Sequence, residues 1–175
     1  QVFDAFWEAA APLKKLKDAL QKHWEGNDKK YILTIDNRKV PTRAAHAILN
    51  SLFQSAGVIC AKKAMIIWER KLRENGLNVD FWTEDWKNKP WAQQMIAYHD
   101  EAQIEVSKKL VKFKMFSTKE EVNAFRKEQY ESQGLIWAEA HESPKGGWFT
   151  AYSLPGQLVV EAVKETTEFY KLNCP

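Results

Sequence analysis

The tripeptide His99-Asp100-Glu101, in the stretch "IAYHDEAQIEV", sets an imidazole beside two adjacent carboxylates between runs of strand-forming residues. Neighbouring carboxylates repel one another and lose hydration on burial, so the arrangement costs stability unless something cationic gathers there. A solvated hairpin turn is the plain alternative, since Asp is common in turns. A second set of polar residues, His46, Asn50 and Gln54, recurs every fourth position in a largely apolar run, which places all three along one ridge of a helix. Other constellations carry no chemistry. His23, His46, His99 and His141 fall in no ligand spacing, "SPKGG" lacks both the Walker spacing and a Lys-Ser pair, and no nucleophile elbow is present.

These residues need elements to hold them. Residues 1–26 carry apolar positions at helical spacing, with Pro12 starting a second helix or kinking one, and Gly26-Asn27-Asp28 as a stop. Residues 31–40 alternate around Asp36-Asn37 as a hairpin does. The longest helical pattern covers residues 42–75; its apolar face runs from Ile48 to Leu72, and Gly76 stands at its C-terminal stop. The loop "NVDFWTEDWKNKPW" is acidic and aromatic, and it reads as a packed cover rather than a base-stacking platform. Two short strands then meet at His99-Asp100-Glu101 as a second hairpin.

Beyond it, "SKKLVKFKMF" alternates as a strand, with Lys108, Lys109, Lys112 and Lys114 as a candidate basic strip or a solvated face. A helix opens with the capping box Ser117 to Glu120 and ends at Gly134. "LIWAEAHE" and "GWFTAYS" read as strands joined by the turn at residues 143–147, and residues 157–172 as a last helix. The expected fold class is α+β, with helices packed on a small antiparallel sheet and residues 107–155 as a compact β-α-β-β insert.

Hydrophobic residues make up 45% and charged residues 28% of the 175 positions, which describes a globular chain able to bury a core. The net charge of +3 permits nucleic-acid binding without demanding it. Cys60 and Cys174 supply neither a zinc spacing nor a disulfide framework, so a reduced, cytoplasmic setting is expected. No apolar run approaches the ~20 residues that span a bilayer, so no membrane partner is expected. The chain opens on Gln1 inside a helical pattern and stops on "NCP", as a piece of something longer would.

The stretch "NRKVPTRAAHAILNSLFQSAGVICAKKAM", followed some forty residues on by "YHDEAQIEV", resembles the C-terminal part of the palm of a family A (polymerase I type) DNA polymerase, of the T7-like bacteriophage branch. In that family a hairpin leads into a helix bearing H-A-x-x-N-x-x-x-Q-S-x-G, matched here by His46, Ala47, Asn50, Gln54, Ser55 and Gly57. His99-Asp100-Glu101 matches its motif C, carried on a hairpin at the floor of the active site. The resemblance covers residues 1–106, and the last helix fits the one that follows motif C; residues 1–106 and 156–175 would then be palm.

What the resemblance implies is template-directed nucleotidyl transfer by DNA-directed DNA polymerase, with two Mg²⁺ ions stabilising the entering and leaving oxygens. Asp100 would be the catalytic metal ligand and Glu101 a supporting, metal-facing carboxylate. His99 would lie against the primer terminus. Asn50 and Gln54 would donate to minor-groove acceptors, which occupy similar places in every base pair, with Arg43 and His46 on backbone or groove. Primer-template DNA, dNTP substrates and the remainder of the polymerase are the implied partners. The family's other aspartate motif, D-x-S-x-x-E-L-R, and its fingers helix are missing from this sequence. The isolated chain is therefore expected to be inactive. A non-catalytic DNA-binding or assembly module, such as one half of a split polymerase, is the rival expectation, and a structural protein in which His99-Asp100-Glu101 is only a turn is a third.

Overall fold

The computed structural model describes residues 2–83, 85–98 and 101–171; His99 and Asp100, the residues expected to matter most, lie outside the described residues. Two compact units divide the chain at residues 62 and 63, inside its longest helix. That division does not coincide with the expected insert boundary at residues 106 and 107.

In the first unit, α1 (Val2–Ala9) stops one residue before α2 (Ala11–Gly26), where Pro12 occupies the first helical turn and its missing N–H costs nothing. Asn27 ends α2 and ties it to the next strand: its amide nitrogen donates to the carbonyls of His23 and Tyr31 at 2.9 Å each, and its oxygen accepts from the Lys30 N–H at 3.0 Å. The strands β1 (Tyr31–Leu33) and β2 (Lys39–Pro41) pair antiparallel, Ile32 opposite Val40. Asn37 takes the left-handed φ of +63° that the turn requires. The core here is Trp24, Ile32 and Ile48, with Leu20, Val40 and Leu52 against it. Trp24 keeps its polar end satisfied by donating Nε1–H to the Thr42 carbonyl at 2.8 Å.

The long helix α3 (Ile48–Glu74) follows a 3₁₀ turn at Ala45–Ala47 and begins later than the pattern from residue 42 suggests. Thr42 still donates its N–H to the Lys30 carbonyl at 3.2 Å, and Ala44 is extended. Residues 42–44 therefore belong to the hairpin's exit. The far end of α3 closes as expected, with Gly76 at φ +66° and the Leu77 N–H on the Leu72 carbonyl.

In the second unit, β3 (Ala92–Tyr98) and β4 (Glu101–Val106) form an antiparallel hairpin with a bulge between Gln94 and Ile96. After a 3₁₀ turn at Lys108–Leu110 come β5 (Val111–Phe116), α4 (Lys119–Gln133), β6 (His141–Glu142), β7 (Trp148–Ser153) and α5 (Leu154–Phe169). The last three strands pair antiparallel in the order β5-β7-β6, so among the described residues the strands make three separate small sheets rather than one. Ile67, Trp68, Leu72, Leu77, Ala92, Leu158 and Ala162 are the core, uniting the C-terminal half of α3 with α5 and the start of β3. Trp68 donates Nε1–H to the Pro155 carbonyl at 2.9 Å, and Arg70 meets Glu165 at 2.7 Å, fastening α3 to α5.

Local readings shift by small amounts. The capping box belongs to Thr118 and Glu121, one residue beyond Ser117 and Glu120, because "STKEE" offers the pattern twice. Of the strand expected at residues 135–142, only His141–Glu142 pairs as a strand. Before it, the Ala138 N–H makes a single backbone bond to the Ala151 carbonyl of β7 at 2.8 Å, while side chains take its neighbours: the Ile136 N–H donates to Gln157 at 2.9 Å, and Arg126 Nε donates to the Trp137 carbonyl at 3.3 Å. The helix expected from residue 157 starts at Leu154, with Ser153 as its N-cap and Pro155 in its first turn. The aromatic loop is not a uniform cover, since Trp82 is 96% exposed.

Candidate nucleic-acid interface

Helical periodicity does what the sequence asks of it on α3. The apolar side of its first half turns Ile48 and Ile59 inward, while Asn50 and Gln54 stand exposed four residues apart on the outer side. His46, in the 3₁₀ turn, and Arg43, in the extended lead-in, are exposed on the same approach to the helix. No side chain of the four makes a hydrogen bond or ion pair with another described residue, so their side-chain donors and acceptors face solvent. Gly57, one turn beyond Gln54, is exposed as well, and a Cβ built there meets nothing within 4 Å. The result is a helix face with amides at its start and almost no relief further on.

The second part of the site is the β3–β4 hairpin. Glu101 opens β4, paired with Tyr98, and its carboxylate is exposed; Gln103 donates Nε2–H to its Oε1 at 2.9 Å. The donor type suits Mg²⁺, which takes carboxylate oxygens, but the number does not. Among the described residues no three His, Cys, Asp or Glu side chains come together to hold a metal. Glu101 alone, with one oxygen engaged, makes no site for two ions. Arg43, His46, Asn50 and Gln54 belong to the first unit and Glu101 to the second, and each stands as described within its own unit.

A cleft of about 380 Å³ beside β3 is lined by Met65, Trp68, Leu72, Asn78, Gln93 and Met95 among others. Its one acidic group, Glu69, is paired with Arg73, so the cleft offers no free acid or base. The perturbed carboxylates lie elsewhere and are structural. Hydrogen bonding from the Thr34 hydroxyl, then from Arg38, holds Asp36 below the ordinary carboxylate value. A hydrogen bond from Arg70 does the same for Glu165.

No family model matches the chain. The chain is similar to DNA-directed DNA polymerases of bacteriophages. It is 38% identical over 76 residues to the DNA-directed DNA polymerase of Escherichia phage T7, a match that takes in 43% of this chain and 10% of that protein. The DNA-directed DNA polymerase of Enterobacteria phage T3 matches to the same extent. The chain thus spans about a tenth of the length of the curated relatives it matches, and it is related to phage DNA polymerase over that part. No helix among the described residues is long and apolar enough to cross a membrane.

Proposed function

We propose that the chain forms the C-terminal part of the palm of a family A DNA polymerase, with an α+β fold in which residues 107–155 are an insert, and that it works within a larger polymerase. The observation that carries this is the 38% match to phage DNA polymerases, in a chain whose motif residues Asn50 and Gln54 stand exposed on one helix ridge. Laid along a minor groove, their amides donate to A N3 and T O2 acceptors without choosing a base, which lets a polymerase follow duplex of any sequence. Arg43 and His46 add phosphate or groove contacts at the helix's start. His99 lies against the primer end.

Asp100 and Glu101 are the carboxylates this chain offers to Mg²⁺, and the rest of the ligand set comes from the part of the polymerase that carries the other aspartate. Mg²⁺, when bound, stabilises charge on the entering and leaving oxygens of the phosphoryl group. The two adjacent carboxylates repel one another, a cost that bound cations offset. Primer-template DNA and dNTPs are the substrates of the whole, and the isolated chain does not extend primers. A non-catalytic DNA-binding or assembly module, such as one half of a split polymerase, is the second reading.

Primer extension decides between them. In a polypeptide joining these residues to the missing aspartate and fingers motifs, Asp100→Ala is expected to lose several orders of magnitude in rate while still binding primer-template. Equal rates for the two proteins would leave only the non-catalytic reading.

A further inference from the structure

The sheet β5-β7-β6 has one covered face and one open face. On the covered face Phe125 of α4 lies 5.3 Å from Phe116, and Trp137 lies 5.6 Å from Tyr152 and 5.0 Å from Phe125, ring centre to ring centre. Lys114 stands over the Phe125 ring at 3.9 Å, and Thr150 is fully buried. Lys112 and Lys114 therefore share the α4 side, and the four lysines around β5 do not form one strip.

The other face carries Val111, Phe113 and Met115 from β5 and Phe149 and Ala151 from β7, none of them charged. His141 of β6 is opposite Phe149 in register and joins the row. Phe113 is 68% and Met115 56% exposed. The Phe113 and Phe149 ring centres are 6.4 Å apart, and His141 lies 5.6 Å from Phe149 at an interplanar angle of 35°. Three flat rings thus cross three neighbouring strands on a sheet backed by a helix. Exposed lysines stand at both ends of the strands: Lys108 and Lys109 before β5, and Lys145 in the turn between β6 and β7.

We propose that this face binds single-stranded DNA, stacking successive bases on Phe113, Phe149 and His141 while the lysines at either end meet phosphates. Aromatic rings on an open sheet are the recurring platform for unpaired bases, because every base has a π-face and stacking needs no sequence match. The uncharged middle and cationic ends suit a strand whose bases turn inward and whose phosphates lie outward. Cations at both ends of the patch complement a partner that carries its negative charge at regular intervals along one chain. The choice of DNA over RNA rests on the polymerase reading; the platform itself does not.

The test uses the whole chain and a dye-labelled oligothymidylate, followed by fluorescence anisotropy. Phe113→Ala and Phe149→Ala are each expected to weaken binding roughly tenfold, while Phe113→Tyr keeps wild-type affinity and blunt duplex binding is unchanged in all three. Oligothymidylate affinity that is absent in the wild type, or untouched by both alanines, overturns the proposal. So does sedimentation showing copies of the chain paired through this face, with pairing lost in Phe113→Ala. Ring variants that lose oligothymidylate while Asn50→Ala/Gln54→Ala leaves duplex binding intact would sink the helix-ridge reading and leave the platform standing.

Discussion

The two hairpins, β1–β2 and β3–β4, each bring a carboxylate near a turn, and they use it in opposite ways. Asp36 is consumed locally: the Thr34 hydroxyl donates to one oxygen and Arg38 Nε to the other at 2.6 Å. Ile32 beneath it is fully buried. Among the described residues Glu101 has one side-chain hydrogen-bond partner, the Gln103 amide, and its hairpin keeps Met95 57% and Ile96 50% exposed. A carboxylate whose lone pairs are filled by its own turn stabilises the turn. One left open at the surface is available to something else. The sequence places both in short strand-turn-strand segments, so the distinction lies in the partners rather than in the residue type.

The contrast breaks first at the core. Ile32→Ala should cost about 2–5 kcal/mol of stability, because the side chain is fully enclosed between Trp24, Ile48 and Val40. Ile96→Ala, half exposed on the other hairpin, should cost less than about 1 kcal/mol. Chemical denaturation of the two variants measures this, and equal losses would mean that the second hairpin is as deeply built in as the first. Next in size is Glu101→Gln. As a supporting carboxylate its loss should lower primer extension in the larger polymerase by roughly 10–100-fold and leave the melting temperature unchanged. A fall in melting temperature with extension intact would make Glu101 a structural residue like Asp36.

Much of this was legible from local chemistry. Pro12 separates two helices, Asn37 turns a hairpin and Gly76 stops α3, since each of those residues restricts or frees its own backbone. The ridge of Asn50 and Gln54 was legible too, because helical periodicity fixes which residues share a side. What could not be read depends on distant partners. The alternation of Lys112 and Lys114 with Phe113 and Met115 does not say which set the helix α4 will cover. It packs on the side of the lysines, which stay exposed with Lys112 over Tyr152 and Lys114 over Phe125, and this leaves Phe113 and Met115 on the opposite face. Likewise, residues 135–140 have the composition of a strand, but only Ala138 bonds β7 through its N–H, while the Ile136 N–H goes to Gln157, 21 positions away, and the Trp137 carbonyl to Arg126. Trp82 looks like core material and is fully in water. At Asp100 the reading rests on the motif alone.

A smaller effect separates folding from binding on the ridge. Gly57→Ala should stabilise α3 by about 1 kcal/mol, the helix-propensity difference, since the new methyl meets nothing. If duplex lies along this face, the same methyl should weaken primer-template binding. Opposite signs in a thermal melt and a binding titration are the expected pair, and a variant that binds as well as wild type would move the duplex off the helix.

The smallest effect returns to Asp36. Its folded-state pKa is depressed, chiefly by the Thr34 hydroxyl and then by Arg38. The native state therefore binds that proton less readily than the unfolded chain does, and stability rises with pH through this range. The contribution is complete above the unfolded carboxylate value and is lost as pH falls through the folded one. Glu165, lowered by Arg70, adds a second loss of the same sign. Asp36→Asn should flatten part of the acid limb of a urea-midpoint-against-pH profile, because the amide has no proton to gain. If Asp36→Asn leaves the acid limb as steep as in the wild type, the contacts from Thr34 and Arg38 do not stabilise the turn through the carboxylate's charge, and the contrast between the two hairpins loses its first member.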